Sequence, residues 1–248
     1  MKADTLANTK KPAILRDLQA THLFQTLSSK DANELYSASR ELKLEKDTML
    51  HMQGDPATWF YFVVSGWVKT FRQMRSGEEA VIEIAGHGEF VGELAPFEGT
   101  VHSCNAAVVQ QSVLVRFPLS LLDRIIHDNP APARAMLKDM AAKRLSQIRD
   151  IEGLKLRRAD QRIGCFLLRL CEGAAEGQRE VTLPYNKAHI AAQLGIRGET
   201  YSRAFDRLAK VTNITTAGDV VYIPDIAKLS GYVCSGCSNE YPCKDLLQ

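Results

Sequence analysis

The stretch from Lys187 to Leu208, KAHIAAQLGIRGETYSRAFDRL, constrains this chain more than any other. Ile190, Ala191 and Leu194 recur at helical spacing and give a first short helix an apolar stripe. Ala191 is small enough for two helices to cross closely, and Gly195 permits the sharp turn that follows. Ile196, Tyr201, Ala204, Phe205 and Leu208 then form the inner side of a second helix. Arg197, Gly198, Glu199, Ser202, Arg203 and Arg207 are left facing outward. Arginine pairs with guanine O6 and N7, glutamate accepts from cytosine N4, and serine reaches a base or a phosphate. An ordinary helical hairpin with solvated charges is the plainer alternative. Both the buried and the exposed sets match a helix that enters the major groove of double-stranded DNA.

The chain has 248 residues, enough to bury a substantial core and to suit two domains rather than one. Its 45% hydrophobic and 24% charged residues are those of a soluble globular protein. No apolar run approaches the ~20 residues needed to cross a bilayer, and MKADTLANTKKPAIL lacks a signal-peptide core. The expectation is a cytoplasmic protein without a membrane partner. A formal net charge of +2 means that attraction to DNA must come from local basic surface. Such surface is concentrated from Lys138 to Arg169 and again at Arg197, Arg203, Arg207 and Lys210. No P-loop, nucleophile elbow or HExxH is present, so no enzyme is expected.

Residues 1 to about 12 are polar and are expected to be disordered. Ile14 to Leu42 has helical periodicity, with a capped helix beginning near Ser28 or Ser29. From Leu44 to Phe117 the pattern changes to short β-rich runs: YFVVSGWVKTFR, AVIEIAGHGEFVGE and AAVVQQSVLVRF. Turns at Gly66, Gly77 and Gly86-His87-Gly88 separate them, which suggests a small antiparallel barrel or roll. Pro118 opens a helical region that Pro130 and Pro132 interrupt. Ala133 to Leu156 then reads as one long helix, and Leu137, Ala141, Leu145, Ile148 and Ile151 mark a helix–helix seam along it. A dimer interface is favoured over an internal contact. Beyond a helix at Ala159–Cys171 and a short strand at Val181–Pro184, NITTAGDVVYIPD reads as a hairpin wing beside the second helix of the helix-turn-helix. The expected class is α+β: a β-roll sensor domain (13–132), a dimerisation helix (133–157), a winged helix-turn-helix (158–230) and a cysteine-rich tail (231–248).

This order resembles the CRP/FNR family of bacterial transcription regulators over nearly the whole chain. GEFVGELAPFE, Gly88 to Glu98, is similar to the family's phosphate cassette, with Gly92 and Glu93 as its GE pair. GETYSR, Gly198 to Arg203, resembles the E-x-x-S-R recognition motif of the FNR-like branch. The resemblance implies a homodimer that reads TTGA-type half-sites through Glu199, Ser202 and Arg203, with RNA polymerase as a further partner. Gly198 stands where the cyclic-AMP branch has an arginine, which favours the FNR-like side. A cyclic nucleotide needs an arginine for its phosphate a few residues after the GE pair. Here GTVHSCN places His102 and Ser103 there, and no arginine lies between Arg75 and Arg116. The cassette, with Gly92, Glu93, His102 and Ser103 as its effector pocket, is therefore expected to survive as fold rather than as a cyclic-AMP site.

Six cysteines in a cytoplasmic chain do not suggest a disulfide framework. Three of them cluster as Cys234-x2-Cys237-x5-Cys243, a compact spacing of the kind that holds iron–sulfur clusters. The FNR-like branch carries such a triad near its N-terminus, and this chain departs from that. It resembles instead those members that place the triad after the DNA-binding domain and complete it with an aspartate. A cluster of the 4Fe-4S kind is the cofactor expected, with Cys104, Cys165, Asp150 or Asp160 as candidates for the fourth ligand. Cys171, on the apolar side of its helix with Leu167 and Leu170, reads as core. A structural zinc or a thiol switch are alternatives for the triad. Heme bound by one of His22, His51, His87 or His102, a small ligand, no cofactor at all, or a cyclic-nucleotide-binding regulatory module are the rival readings of the sensor.

Overall fold

The computed structural model describes residues 13–75, 77–171, 177–237 and 241–243. The expected disorder of residues 1–12 and the end of the cysteine-rich tail lie outside them. The chain divides into two compact units, Met1–Arg144 and Leu145–Gln248.

The first unit opens with a helix at residues 13–20 (α1), then α2 (His22–Gln25) and α3 (Ser29–Ala38). Ser28 caps α3, its hydroxyl accepting from the Asp31 amide at 3.1 Å. The helical periodicity expected through Leu42 stops earlier. Ser39 turns extended, and Arg40–Leu44 forms strand β1, paired residue by residue with Ser112–Arg116. The alternation in RELKL and the partner strand outweigh a helical period that had only one more turn to run.

Strands β2 (Met49–His51), β3 (Trp59–Ser65), β4 (Val68–Gln73), β5 (Glu79–Ala85), β6 (Phe90–Val91), β7 (Asn105–Val108) and β8 (Ser112–Pro118) complete a roll of two four-stranded antiparallel sheets. The orders are β1-β8-β3-β6 and β2-β7-β4-β5. Strand β3 is buried on both faces, which explains its unbroken apolar run WFYFVVS. Phe60 and Phe62 pack towards the helices with Leu18, Leu23, Phe24, Leu35 and Phe117, whereas Tyr61 and Val63 pack inside the roll with Val68, Val91 and Leu114. Gly66 has φ 88°, and a Cβ there would lie 2.0 Å from the Ser112 hydroxyl. That turn therefore requires glycine on two grounds. A short helix α4 (Ala95–Glu98) lies between β6 and β7, and α5 (Leu119–Asp128) follows β8.

Helix α6 (Ala131–Leu156) is 26 residues long and starts two residues earlier than the prolines suggested. Pro132 falls in the first turn, where a missing N–H costs no helical hydrogen bond, and the Asn129 side chain accepts from the Ala131 amide at 3.0 Å.

The second unit contains α7 (Ala159–Leu170), strand β9 (Arg179–Thr182), α8 (Lys187–Gln193), α9 (Gly198–Thr212), the hairpin β10 (Thr215–Ala217) and β11 (Val220–Ile223), and α10 (Ile226–Val233). A single 3₁₀ turn at Cys234–Gly236 ends α10. The wing sheet has order β10-β11-β9. Its register with β11 sets β9 at Arg179–Thr182 rather than at the expected Val181–Pro184, since Pro184 has no amide to donate to a ladder.

Candidate DNA interface and cysteine cluster

Asn186 caps α8, accepting from the His189 amide at 3.0 Å. The turn then passes through Gly195 at φ 60°, where a Cβ would approach Leu154 to 2.8 Å. The Arg162 guanidinium reaches across from α7 and donates to the Leu194 carbonyl at 2.7 Å, fixing the turn. Ile190, Ala191, Ile196, Tyr201, Ala204 and Leu208 are buried as the spacing required, with Leu194 and Phe205 half-buried. Arg197, Gly198, Glu199, Ser202, Arg203 and Arg207 are all exposed. The Glu199 and Arg203 side chains are 90% and 80% accessible and only 3.9 Å apart, one turn of α9 between them. In water such a pair is weak. Both groups are therefore free to exchange each other for base edges.

Behind α9 lies a buried carboxylate that the sequence did not single out for this role. Asp160, 1% exposed, accepts from the Tyr232 hydroxyl at 2.6 Å and from the Gln161 amide at 3.1 Å. Arg158 stands 3.4 Å from one of its oxygens and Arg207 4.0 Å from the other. Burial alone would raise its pKa. The Tyr232 hydroxyl, Arg158, the Gln161 amide and Arg207 together hold it below the usual carboxylate value. The network joins α7, α9 and α10. Beside it, Gly164 lets Val233 approach so closely that a Cβ would lie 2.3 Å from a valine methyl.

The same contact puts Cys165 next to the cysteines of the tail. One guanidinium, Arg157, donates through Nη1 to Cys165 Sγ at 3.1 Å and through Nη2 to Cys237 Sγ at 2.9 Å. The 3₁₀ turn, closed by the Cys237 amide on the Cys234 carbonyl at 3.0 Å, joins the two thiols of the CxxC. The Cys234 thiol is pushed up to about 11, by burial first and then by the sulfurs of Cys243, Cys237 and Cys165, with Arg157 opposing. Cys165 thus belongs with the triad. Among the described residues, no three His, Cys, Asp or Glu side chains converge tightly enough for a single metal ion.

The other candidates for a fourth ligand are engaged elsewhere. Asp160 is held as described. Asp150 pairs with Arg169 at 3.0 Å. Cys104 belongs to the first unit, where it neighbours the Ser103 hydroxyl at 3.9 Å. Cys171 is 4% exposed and donates to the Leu167 carbonyl at 3.3 Å, as a core residue should.

In the β-roll, Gly92 has φ 85°, and its alpha carbon faces the His102 ring, which a Cβ would meet at 3.4 Å. His102 stacks on His51 with centroids 3.5 Å apart. His51 is held near about 4, by burial first and by His102 second. Ser103 donates to Glu98 at 2.8 Å, and Arg72 donates to the Ser103 carbonyl at 3.0 Å. Glu93 lies 3.9 Å from Lys143 of α6, which also pairs with Glu83 at 3.0 Å. Burial raises the Glu93 carboxyl, with Lys143 opposing. His22 meets Asp139 at 2.6 Å, and His87 Nδ1 lies 2.8 Å from the Val64 carbonyl.

Along α6 the seam residues are open. Leu137 is 62%, Leu145 55%, Ile148 50% and Ile151 50% exposed, Ala141 is exposed too, and Met140 and Leu154 extend the stripe. No helix of the described residues is long and apolar enough to cross a membrane.

Residues 41–129 match the model of the cyclic nucleotide-binding domain, and residues 161–232 match that of the Crp-like helix-turn-helix domain. The chain is 30% identical over 206 residues to the transcriptional activator protein Anr of Pseudomonas protegens, covering 79% of this chain and 81% of that protein. The chain belongs to the CRP/FNR family of transcription regulators, on its FNR-like branch. It is also 26% identical over 208 residues to the anaerobic regulatory protein of Pasteurella multocida, covering 82% of this chain and 76% of that one. Among solved structures, a putative cyclic nucleotide binding protein of Ruegeria pomeroyi superposes with TM-score 0.60 at 30% identity, covering 88% of this chain and 96% of that one. As a CRP/FNR regulator, the chain uses its helix-turn-helix to bind DNA. Arg157, Tyr232 and Arg162 are the residues near these sites that sequence reasoning missed. No local spacing pointed to Arg157, because the meeting of Gly164 with Val233, which sets Cys165 and Cys234 near it, is a tertiary contact.

Proposed function

We propose that this regulator binds TTGA-type palindromes as a homodimer and answers oxygen or nitric oxide through an iron–sulfur cluster held by Cys234, Cys237 and Cys243. The observation that carries the reading is the gathering of tail thiols around Arg157 in the same unit as the recognition helix. The donor set fits: soft cysteine sulfurs suit iron–sulfur clusters, and the Arg157 guanidinium already donates to two of them, Cys165 and Cys237. When bound, such a cluster supplies a redox-sensitive cross-link between the cysteines. The chain's own residues do the rest. Gly164 and Val233 hold α10 against α7, and Asp160 with Tyr232 ties both to Arg207 of α9. A tail tethered or released beside this network favours one placement of α9 over another, and that differential affinity is what a signal requires.

Glu199, Ser202 and Arg203 read the bases, with Arg197, Gly198 and Arg207 at the backbone. The open stripe on α6 is the dimer seam, so that two copies of α9 address two half-sites. RNA polymerase is the partner that a DNA-bound activator then engages. The name of the Pasteurella relative, an anaerobic regulatory protein, supports an oxygen-linked signal.

The test is an absorbance spectrum with iron and sulfide analysis of protein purified without oxygen, followed by footprinting on a TTGA palindrome. A broad band near ~400 nm with equal iron and acid-labile sulfide is expected. A sharp Soret band would replace the cluster by heme. An unprotected palindrome in every state would overturn the DNA assignment.

A further inference from the structure

We propose that Cys165, on the first helix of the DNA-binding unit, is the fourth protein ligand, so that Cys165, Cys234, Cys237 and Cys243 form one all-cysteine site. This rests on the cluster reading above and goes beyond it. That reading leaves open what completes the triad, and an aspartate was the expectation from resemblance. Three observations point to the thiol instead.

A planar guanidinium holds its donors in a rigid fork, and Arg157 engages two sulfurs at 3.1 and 2.9 Å through neighbouring nitrogens of one group. One of those sulfurs is Cys165 and the other belongs to the CxxC of the tail. The two are 72 residues apart in the chain and reach the same guanidinium where Gly164 admits Val233. The aspartates, in turn, are engaged elsewhere, Asp160 through both oxygens and Asp150 through one. Asp160, buried, accepts from Tyr232 and Gln161 and stands against Arg158, and Asp150, half-exposed, is turned through one oxygen to Arg169. Freeing the Asp160 carboxylate would leave a buried network without its centre, a costly exchange.

Charge completes the argument. Four thiolates carry more negative charge than a cubane core neutralises, so a buried site needs cationic surroundings. The cavity beside Cys165, about 50 Å³, is lined by Arg149, Arg157, Arg162 and Arg169, with Asp150 as the one carboxylate among its lining residues. Cys165 thus lies on the cationic side of the site, and Arg157 carries that charge across to Cys237. Because α7 packs on α9, ligation at Cys165 ties the tail directly to the helix that supports the recognition helix.

The full chain, reconstituted with iron and sulfide without oxygen, tests this in two independent ways. Iodoacetamide labelling read by mass spectrometry compares loaded protein with protein stripped by a chelator. Cys165 is expected to label at least ten times more slowly in the loaded protein, together with Cys234, Cys237 and Cys243. Cys104 should label equally in both. Iron analysis of Cys165→Ser, checked for native far-UV circular dichroism, is expected to fall by a quarter or more, whereas Cys104→Ser keeps the full content. Equal labelling of Cys165 in both states would overturn the proposal without any variant. A folded Cys165→Ser with undiminished iron would overturn it as well. Wild-type protein holding no iron and sulfide would overturn the cluster reading itself, which separates the two failures.

Discussion

The β-roll and the DNA-binding unit have kept different parts of the family's equipment. The roll retains the sheets, the GE pair and the short helix of the phosphate cassette, but its anchoring position is occupied by His102 stacked on His51. Glu93 is turned to Lys143. The second unit has an open polar face on α9 and, behind it, cysteines, arginines and a buried aspartate packed within a few side chains of one another. The packing of the roll depends on buried residues such as Phe60, Phe62 and Leu114, which sets its fold apart from the polar side chains at Gly92–His102.

The largest expected effect breaks the dimer rather than either unit. Ile148→Glu places a charge in the α6 seam. If α6 is the dimer interface, the protein becomes monomeric by sedimentation and loses about 10²- to 10⁴-fold in affinity for a palindrome, the avidity of paired half-sites. A dimer that survives the charge would place the interface elsewhere. Arg203→Ala should cost about 1–3 kcal/mol per half-site and relax base preference at one position, measured by gel shift against single-base operator variants. Equal loss on all operators would make Arg203 a phosphate contact instead.

Gly164→Ala probes the junction between α7 and α10. The new methyl would meet Val233 at 2.3 Å, so about 1–3 kcal/mol of destabilisation is expected in thermal unfolding followed by circular dichroism. Unchanged melting would show that the two helices separate easily. For the β-roll the corresponding probe is pH. His51 titrates near about 4 when folded and near 6.5 when free, so the unfolded chain binds more protons between those values. Stability of the roll is complete above pH 6.5 and falls as pH drops towards 4, on the order of 1–2 kcal/mol because the ring is only partly enclosed. Both tryptophans, Trp59 and Trp67, lie in the roll, so urea unfolding followed by their fluorescence reports on that unit alone. A His51→Gln variant should flatten the slope. The smallest effect is none at all: millimolar cyclic AMP should leave the melting temperature unmoved, whereas a clear rise would restore a nucleotide site to the roll.

The recognition helix was legible because its information is local. A period of 3.6 residues, the turn glycine Gly195 and a set of outward polar groups all lie within Lys187–Leu208. The exposed apolar stripe on α6 was legible for the same reason. The end of α3 at Ser39 was harder to see, since what makes Arg40–Leu44 a strand is its pairing with β8, far along the chain. The grouping of Cys165 with Cys237 through Arg157 lay further still from view. It depends on α10 folding back over α7, a tertiary contact that no spacing within either helix encodes. The network centred on Asp160 was not legible either, because its partners lie on α7, α9 and α10.

The most direct test of a signal housed in the DNA-binding unit is affinity for a TTGA palindrome, measured by gel shift on the full-length protein before and after exposure to air. Wild-type protein should change its affinity at least tenfold, and Cys237→Ser should bind equally in both conditions. A wild-type affinity that ignores air, or a Cys237→Ser protein that responds as fully as wild type, would contradict it.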